Sequence, residues 1–206
     1  MHFINILNFE EVVSGYNGPI PQKSKDCFYR WLPLIQNSEM ACEFAYIVGK
    51  VTGDGNLDQL FTSRFIGQYK EDLEALKELL ANKFGIKRSQ MTIRERFSKG
   101  RSYLLQVNNS AFGRTLYALG APKGNKIKTN FLVPRWIMVS VDSSRYFLQA
   151  LLEDELTTIK VVRKAHVKTI RINMRKSYLF SYLLKEAHFD LTFQVFQNFQ
   201  AKRSSI

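Results

Sequence analysis

The stretch EMACEFAYIVGKVTGDG, residues 39–55, decides the reading of the fold. It is an apolar helix pattern in which Ala45, Gly49 and Gly53 stand at i, i+4 and i+8, so three small residues share one face. A face of that kind lets a second helix backbone approach closely. The stretch closes on Gly53-Asp54-Gly55, a carboxylate held between two glycines. A second segment of the same character, SRYFLQALLEDEL at 144–156, offers Ala150 as its small residue and closes on Asp154-Glu155-Leu156. Paired side by side, the two helices would bring Asp54 and Glu155 together at one end.

Working outward, the residues after each helix repeat a pattern. Behind the first, a strand is allowed between Asp54 and Phe61, and then Phe61, Ser63 and Phe65 alternate with Thr62, Arg64 and Ile66. Leu73, Leu76, Leu80 and Phe84 recur at helical spacing until Gly85. Met91 and Ile93 alternate with Thr92, Arg94 and Arg96, and the turn at 98–101 leads to Tyr103, Leu105 and Val107 alternating with Leu104, Gln106 and Asn108. Asn109 or Ser110 can cap a closing helix that runs to Gly120. The order is αββαββα over residues 37–121.

Behind the second helix, Ile159 and Val161 alternate with Lys160 and Val162, and Ile170, Ile172 and Met174 alternate with Arg171, Asn173 and Arg175. A helix at 177–187 and a strand at 190–198 are expected to follow. The first copy extends 66 residues past Asp54, to Gly120, whereas 51 residues follow Glu155. The second repeat, 144–206, therefore reads as abbreviated. Residues 122–143 read as a linker, and 1–36 as an N-terminal extension that matches neither copy.

Composition narrows the function. The formal net charge of +12 is unevenly spread, +3 over residues 1–121 and +9 over 122–206. A polyanion is the expected partner for so basic a chain. No run of about 18 uninterrupted apolar residues occurs, so no membrane span is expected. Glu10 and Glu11 stand where a signal peptide would be apolar, so the expected location is cytoplasmic, or an organelle that encodes the chain, and not secreted. Cys27, Cys42, His2, His166 and His188 form no zinc-ligand spacing.

Two carboxylates beside two helix C-termini concentrate negative charge that a cation would relieve. Oxygen ligands suit Mg²⁺, or Mn²⁺ in its place, and bridging metal ions supply the activated water and charge neutralisation that phosphodiester hydrolysis requires. On one face of the strands, Arg64, Thr92, Arg94, Arg96, Gln106, Asn108, Lys160, Arg171, Asn173 and Arg175 form a mixture able to contact phosphates and base edges. Lys123, Lys126 and Lys128 would add phosphate attraction without sequence preference.

AYIVGKVTGDG and FLQALLEDEL, separated by GNK…FLVPRWI, resemble the two signature helices of monomeric, two-motif LAGLIDADG homing endonucleases, over about residues 38–200. The resemblance implies an α+β fold of two pseudo-symmetric αββαββα repeats, with a saddle of antiparallel sheets over the DNA major groove. It also implies site-specific, Mg²⁺-dependent cleavage of both strands of duplex DNA, encoded by a mobile element such as an intron. Asp54 and Glu155 match the family's metal-binding acids. Two positions depart from the pattern: Lys50 replaces an apolar residue, and Leu156 replaces the glycine after the second acid. The alternatives are a family member that binds DNA without cutting, and a maturase that binds intron RNA.

Overall fold

The computed structural model describes residues 4–97, 102–125, 132–164 and 167–174, with side chains up to Asp154. Two compact units result, Met1–Glu155 and Leu156–Ile206. The architecture is α+β with antiparallel sheets.

The first unit opens with β1 (Asn5–Leu7), α1 (Phe9–Val13), α2 (Gln22–Trp31) and β2 (Leu34–Ile35), and β1 pairs with β2. Then come α3 (Glu39–Thr52), β3 (Asn56–Leu57), β4 (Ser63–Gly67), α4 (Lys70–Phe84), β5 (Met91–Arg96), β6 (Ser102–Val107) and α5 (Ser110–Ala118). That is the order α-β-β-α-β-β-α. The sheet runs β3-β4-β6-β5, antiparallel throughout. The short α6 (Arg135–Met138) and the long α7 (Val141–Glu155) complete the unit. The segment read as a linker therefore contains α6 and the first turn of α7, which begins three residues before the expected repeat boundary at 144.

Helix α3 starts where its sequence provides a cap. The Ser38 side chain accepts from the Ala41 backbone N–H, satisfying one of the donors the first turn leaves open, and Glu39 places negative charge at the positive end of the helix. The helix is apolar nearly all round and correspondingly buried, with Phe44, Ala45, Ile47, Val48 and Val51 inaccessible to solvent. It packs along α7 on one side and reaches the sheet on another.

The N-terminal residues do not stand apart from this core. Trp31 meets Phe44, Phe84 and Phe112 edge-on, at centroid distances of 6.0, 6.5 and 5.8 Å, and its indole N–H donates to the Phe84 carbonyl at 3.0 Å. Phe28 of α2 is fully buried, and α2 packs against α5. Burying each of these side chains stabilises the unit by roughly 2–3 kcal/mol. Gln36 donates to the Trp136 carbonyl, and Ser140 to the Asn37 side chain, which tie the same segment to the α6–α7 corner.

In the second unit, β7 (Leu156–Lys164) and β8 (Val167–Met174) form an antiparallel hairpin with Lys160 opposite Arg171 and Thr158 opposite Asn173. Arg175, the expected helix at 177–187 and the expected strand at 190–198 lie outside the described residues. Among the described residues, no helix is long and apolar enough to cross a membrane.

Candidate functional site

The α3–α7 crossing is set by its small residues. A Cβ placed on Gly49 would sit 2.7 Å from the Ala150 Cβ and 2.7 Å from the Phe147 carbonyl oxygen, so the two backbones touch at this point. Ala45 is fully buried on the same helix, and Ala150 and Phe147 are fully buried on the other. One helical turn further on, a Cβ on Gly53 would lie 2.5 Å from the Asp154 Oδ2. The second helix thus sends a carboxylate into the notch that the first leaves empty.

This register decides which acid faces the crossing. Matching Gly49 to Ala150 matches Gly53 to Asp154 and Asp54 to Glu155, so Asp154 occupies the helix interface. Asp54 is exposed, in the turn that follows α3. Glu155 ends α7, one residue beyond Asp154, and its side chain lies outside the description.

The turn around Asp54 is closed by three backbone donors. Gly53 N–H donates to the Gly49 carbonyl at 2.8 Å and Gly55 N–H to the Lys50 carbonyl at 2.9 Å. Between them, Asp54 N–H points at Asp154 Oδ2 across the helix pair, at 3.4 Å, a long electrostatic contact. Gly55 must be glycine, because a Cβ there would be 2.6 Å from the Lys50 carbonyl oxygen.

Lys50, an exception to the apolar pattern of its helix, has a partner that accounts for it. Its ammonium lies 2.8 Å from Asp154 Oδ1 and 3.0 Å from Glu153 Oε2, largely buried. Glu153 also accepts from the Tyr46 hydroxyl at 2.7 Å and the Gln149 amide at 3.0 Å. Burial pushes the Asp154 carboxyl up to about 6, against the pull of Lys50. Burial also acts to lower Lys50, but Asp154 and Glu153 outweigh it and hold the ammonium above its ordinary value. Sequence reading placed neither Lys50 nor Asp154 in the site. The available signal was an acid in a slot otherwise filled by small residues, with a cation three residues before the facing glycine.

The exposed carboxylate of Asp54, in a turn whose backbone donors are fixed, offers hard oxygen to a cation. Among the described residues, no cluster of three or more His, Cys, Asp or Glu side chains is arranged to hold a metal ion. Mg²⁺ keeps several waters and takes one or two carboxylates together with phosphate oxygens, so the lone Asp54 carboxylate is of the donor type it accepts. One carboxylate does not fit a structural zinc site, which needs four protein ligands.

The sheet carries the second part of the site. Ladder pairing places Arg64, Gln106 and Thr92 side by side, then Ile66, Leu104 and Arg94, then Ser102 and Arg96. Strand alternation puts all of these on one face, with Asn56 opposite Arg64 and Asn108 bonded to Gln106 at 2.8 Å. Leu57, Phe65, Met91, Leu105 and Val107 take the other, buried face. The six expected residues of the first copy thus lie on one face, interrupted by Ile66 and Leu104 beside Arg94, and that face begins two residues after Asp54. Arg64 is partly engaged by Asp58 at 2.9 Å. Were this face to contact a nucleic-acid duplex, Arg94→Ala would weaken binding and reduce the slope of log K against log salt by about one. Titrating the variant at several salt concentrations would show this, and an unchanged slope would remove Arg94 from the contact surface.

At the β3 edge, the start of the linker joins the sheet through a bridge between Leu57 and Lys123. Lys123 lies 4.6 Å from the Phe61 and Tyr117 ring centres, and Arg114 lies 4.3 Å from Phe61. Lys126 and Lys128 lie outside the described residues.

No family model matches the chain. It is 31% identical to a segment of the DNA-directed RNA polymerase subunit Rpo1N of Methanocaldococcus jannaschii, over 71% of this chain and 12% of that protein. It is 29% identical to a segment of the replication factor C small subunit of the same organism, over 70% of this chain and 8% of that protein. A third similarity, 31% identity, is to the tRNA-splicing ligase RtcB of Pyrococcus furiosus, over 61% of this chain and 14% of that protein. The chain thus spans about a tenth of the length of the curated relatives it matches.

Proposed function

We propose that this chain is a site-specific, Mg²⁺-dependent double-strand DNA endonuclease of the LAGLIDADG type, built from two pseudo-symmetric repeats. The observation that carries the reading is the helix crossing: two helices in backbone contact at Gly49 and Ala150, with Asp54 in the turn that closes α3 beside the acidic last turn of α7. A polar sheet face with arginine, threonine, glutamine and asparagine begins at that end, the residue mixture that phosphate positioning and base-edge readout require. Bound Mg²⁺ would polarise a phosphodiester and lower the pKa of a coordinated water. Asp54 and Glu155 would hold it, one from each repeat, and the sheet would orient the duplex over them.

The similarities add an independent argument. A polymerase subunit, a replication factor subunit and an RNA ligase have no activity in common, yet this chain resembles a small part of each. A segment shared by such different proteins is best understood as a portable element that travels between hosts, not as a part of any host's chemistry. Such a reading suits a nuclease encoded by a mobile element.

The test is selection of cleaved sequences from a library of randomised duplexes in Mg²⁺, with Ca²⁺ as the non-catalytic control. Enrichment of one long target with both strands cut supports the proposal. Enrichment by binding with no cutting in Mg²⁺ or Mn²⁺ assigns the chain to DNA recognition without cleavage. Tighter binding to structured RNA than to any duplex assigns it to RNA.

A further inference from the structure

Lys50 and Asp154 lie outside the acid pair of the proposed endonuclease, and their placement suggests what they do there. Asp154 directs both oxygens at neighbours: Oδ1 accepts from the Lys50 ammonium at 2.8 Å, and Oδ2 makes the long 3.4 Å contact with the Asp54 N–H. Its carboxylate fills the notch at Gly53, where any side chain would collide with it. Lys50 is also tied to Asp54 through its own helix, since its carbonyl accepts the Gly55 N–H that closes the turn. The residue that carries Asp54 is thus bracketed by α3 on two sides and by α7 on the third.

Resting on the proposed function, we propose that Asp154, held by Lys50, is a positioning residue for the Asp54 carboxylate and sets how well that carboxylate holds a divalent cation. Groups that orient a metal ligand without touching the metal commonly change its affinity 10–100-fold when removed. The ion pair does this across two helices, so the geometry at Asp54 depends on a residue of the other repeat. It also accounts for two departures from a small-residue interface at once: the acid at 154 requires the cation at 50.

The experiment measures Mn²⁺ binding to the full chain by electron paramagnetic resonance, with thermal unfolding recorded in parallel. Asp54→Asn serves as the reference and should abolish the site. Asp154→Asn keeps volume but has one acceptor oxygen in place of two, so it cannot serve both Lys50 and the Asp54 N–H. Its expected effect is about a tenfold loss of Mn²⁺ affinity. The double variant Lys50→Met/Asp154→Ala removes the Lys50–Asp154 pair together, which is tolerated better than loss of one partner, and leaves Glu153, at the edge of the cluster, on its Tyr46 and Gln149 donors. It should unfold close to the wild-type temperature and still show the roughly tenfold loss. Lys50→Arg, which keeps charge and reach, should stay within about twofold. A purely structural ion pair predicts that the double variant recovers both stability and affinity. Either folded Asp154 variant binding Mn²⁺ within about twofold of wild type overturns the positioning role and leaves the endonuclease reading intact. If Asp54→Asn binds Mn²⁺ as well as wild type does, the metal site itself is lost, and this inference goes with it.

Discussion

Asp54→Asn is expected to lower the rate of Mg²⁺-dependent cleavage by about three orders of magnitude or more, equivalent to ~4 kcal/mol of transition-state stabilisation. Two circumstances make the effect large and clean. The carboxylate is exposed, in a turn whose three backbone N–H groups are already engaged, so its removal asks nothing of the fold. Stability should stay within about 0.5 kcal/mol of wild type, as for substitutions away from packing. The amide is also a far poorer ligand for a hard cation than the carboxylate, so the variant loses charge where charge is needed. Duplex binding in Ca²⁺ should change much less than cleavage, because in the proposed mode the sheet face would supply most of the phosphate contacts. The decisive comparison is single-turnover cleavage of the selected target by wild type and variant. A variant that cuts within a factor of ten of wild type would place the chemistry elsewhere.

How far the sequence alone leads depends on which kind of order each part relies on. The strand face was legible because its period is two. Arg64, Thr92, Arg94, Arg96 and Gln106 sit where simple alternation puts them, on one face of the ladder, and Asn108 joins them through its bond to Gln106. The small residues at 45, 49, 53 and 150 were likewise legible, since a helix repeats every 3.6 residues and close approach admits few side chains. The N-terminal residues gave no such signal. Trp31 and Phe28 join the core from a short helix between irregular stretches, and the Trp31 partners Phe44, Phe84 and Phe112 are brought near only by the folded chain.

The Lys50–Asp154 pair escaped for a related reason. Read singly, Lys50 is a misplaced charge on an apolar helix, and Asp154 is one of three consecutive acids. Their meaning lies in the register between two helices about a hundred residues apart, which neither helix specifies alone. Once Gly49 faces Ala150, Gly53 faces Asp154 and the charge requires a partner within reach. Lys50 supplies it at 2.8 Å. A buried carboxylate without that cation would be a serious cost, so the two charged residues make sense only as a pair.

Because that register underlies the whole arrangement, the second large effect is expected at Gly49. A methyl group there would lie 2.7 Å from the Ala150 Cβ and 2.7 Å from the Phe147 carbonyl oxygen, both fixed parts of a helix that cannot rotate away. Alanine is the better helix former by about 1 kcal/mol, so on helix propensity alone Gly49→Ala would stabilise the protein. Overpacking opposes this with a cost on the order of 3 kcal/mol or more, because the helices must separate along a face buried on both sides. The net result should be a loss of about 2 kcal/mol, read from the midpoint of urea unfolding. Gly18→Ala is the control, since a Cβ there meets nothing within 4 Å, and it should leave stability within about 0.5 kcal/mol of wild type. The sign at Gly49 is what matters. Destabilisation means that the two helix backbones touch at this residue, and with them the two acids share one end. A gain of stability would mean that α3 and α7 pack in another register, and the paired-acid site would have no physical basis.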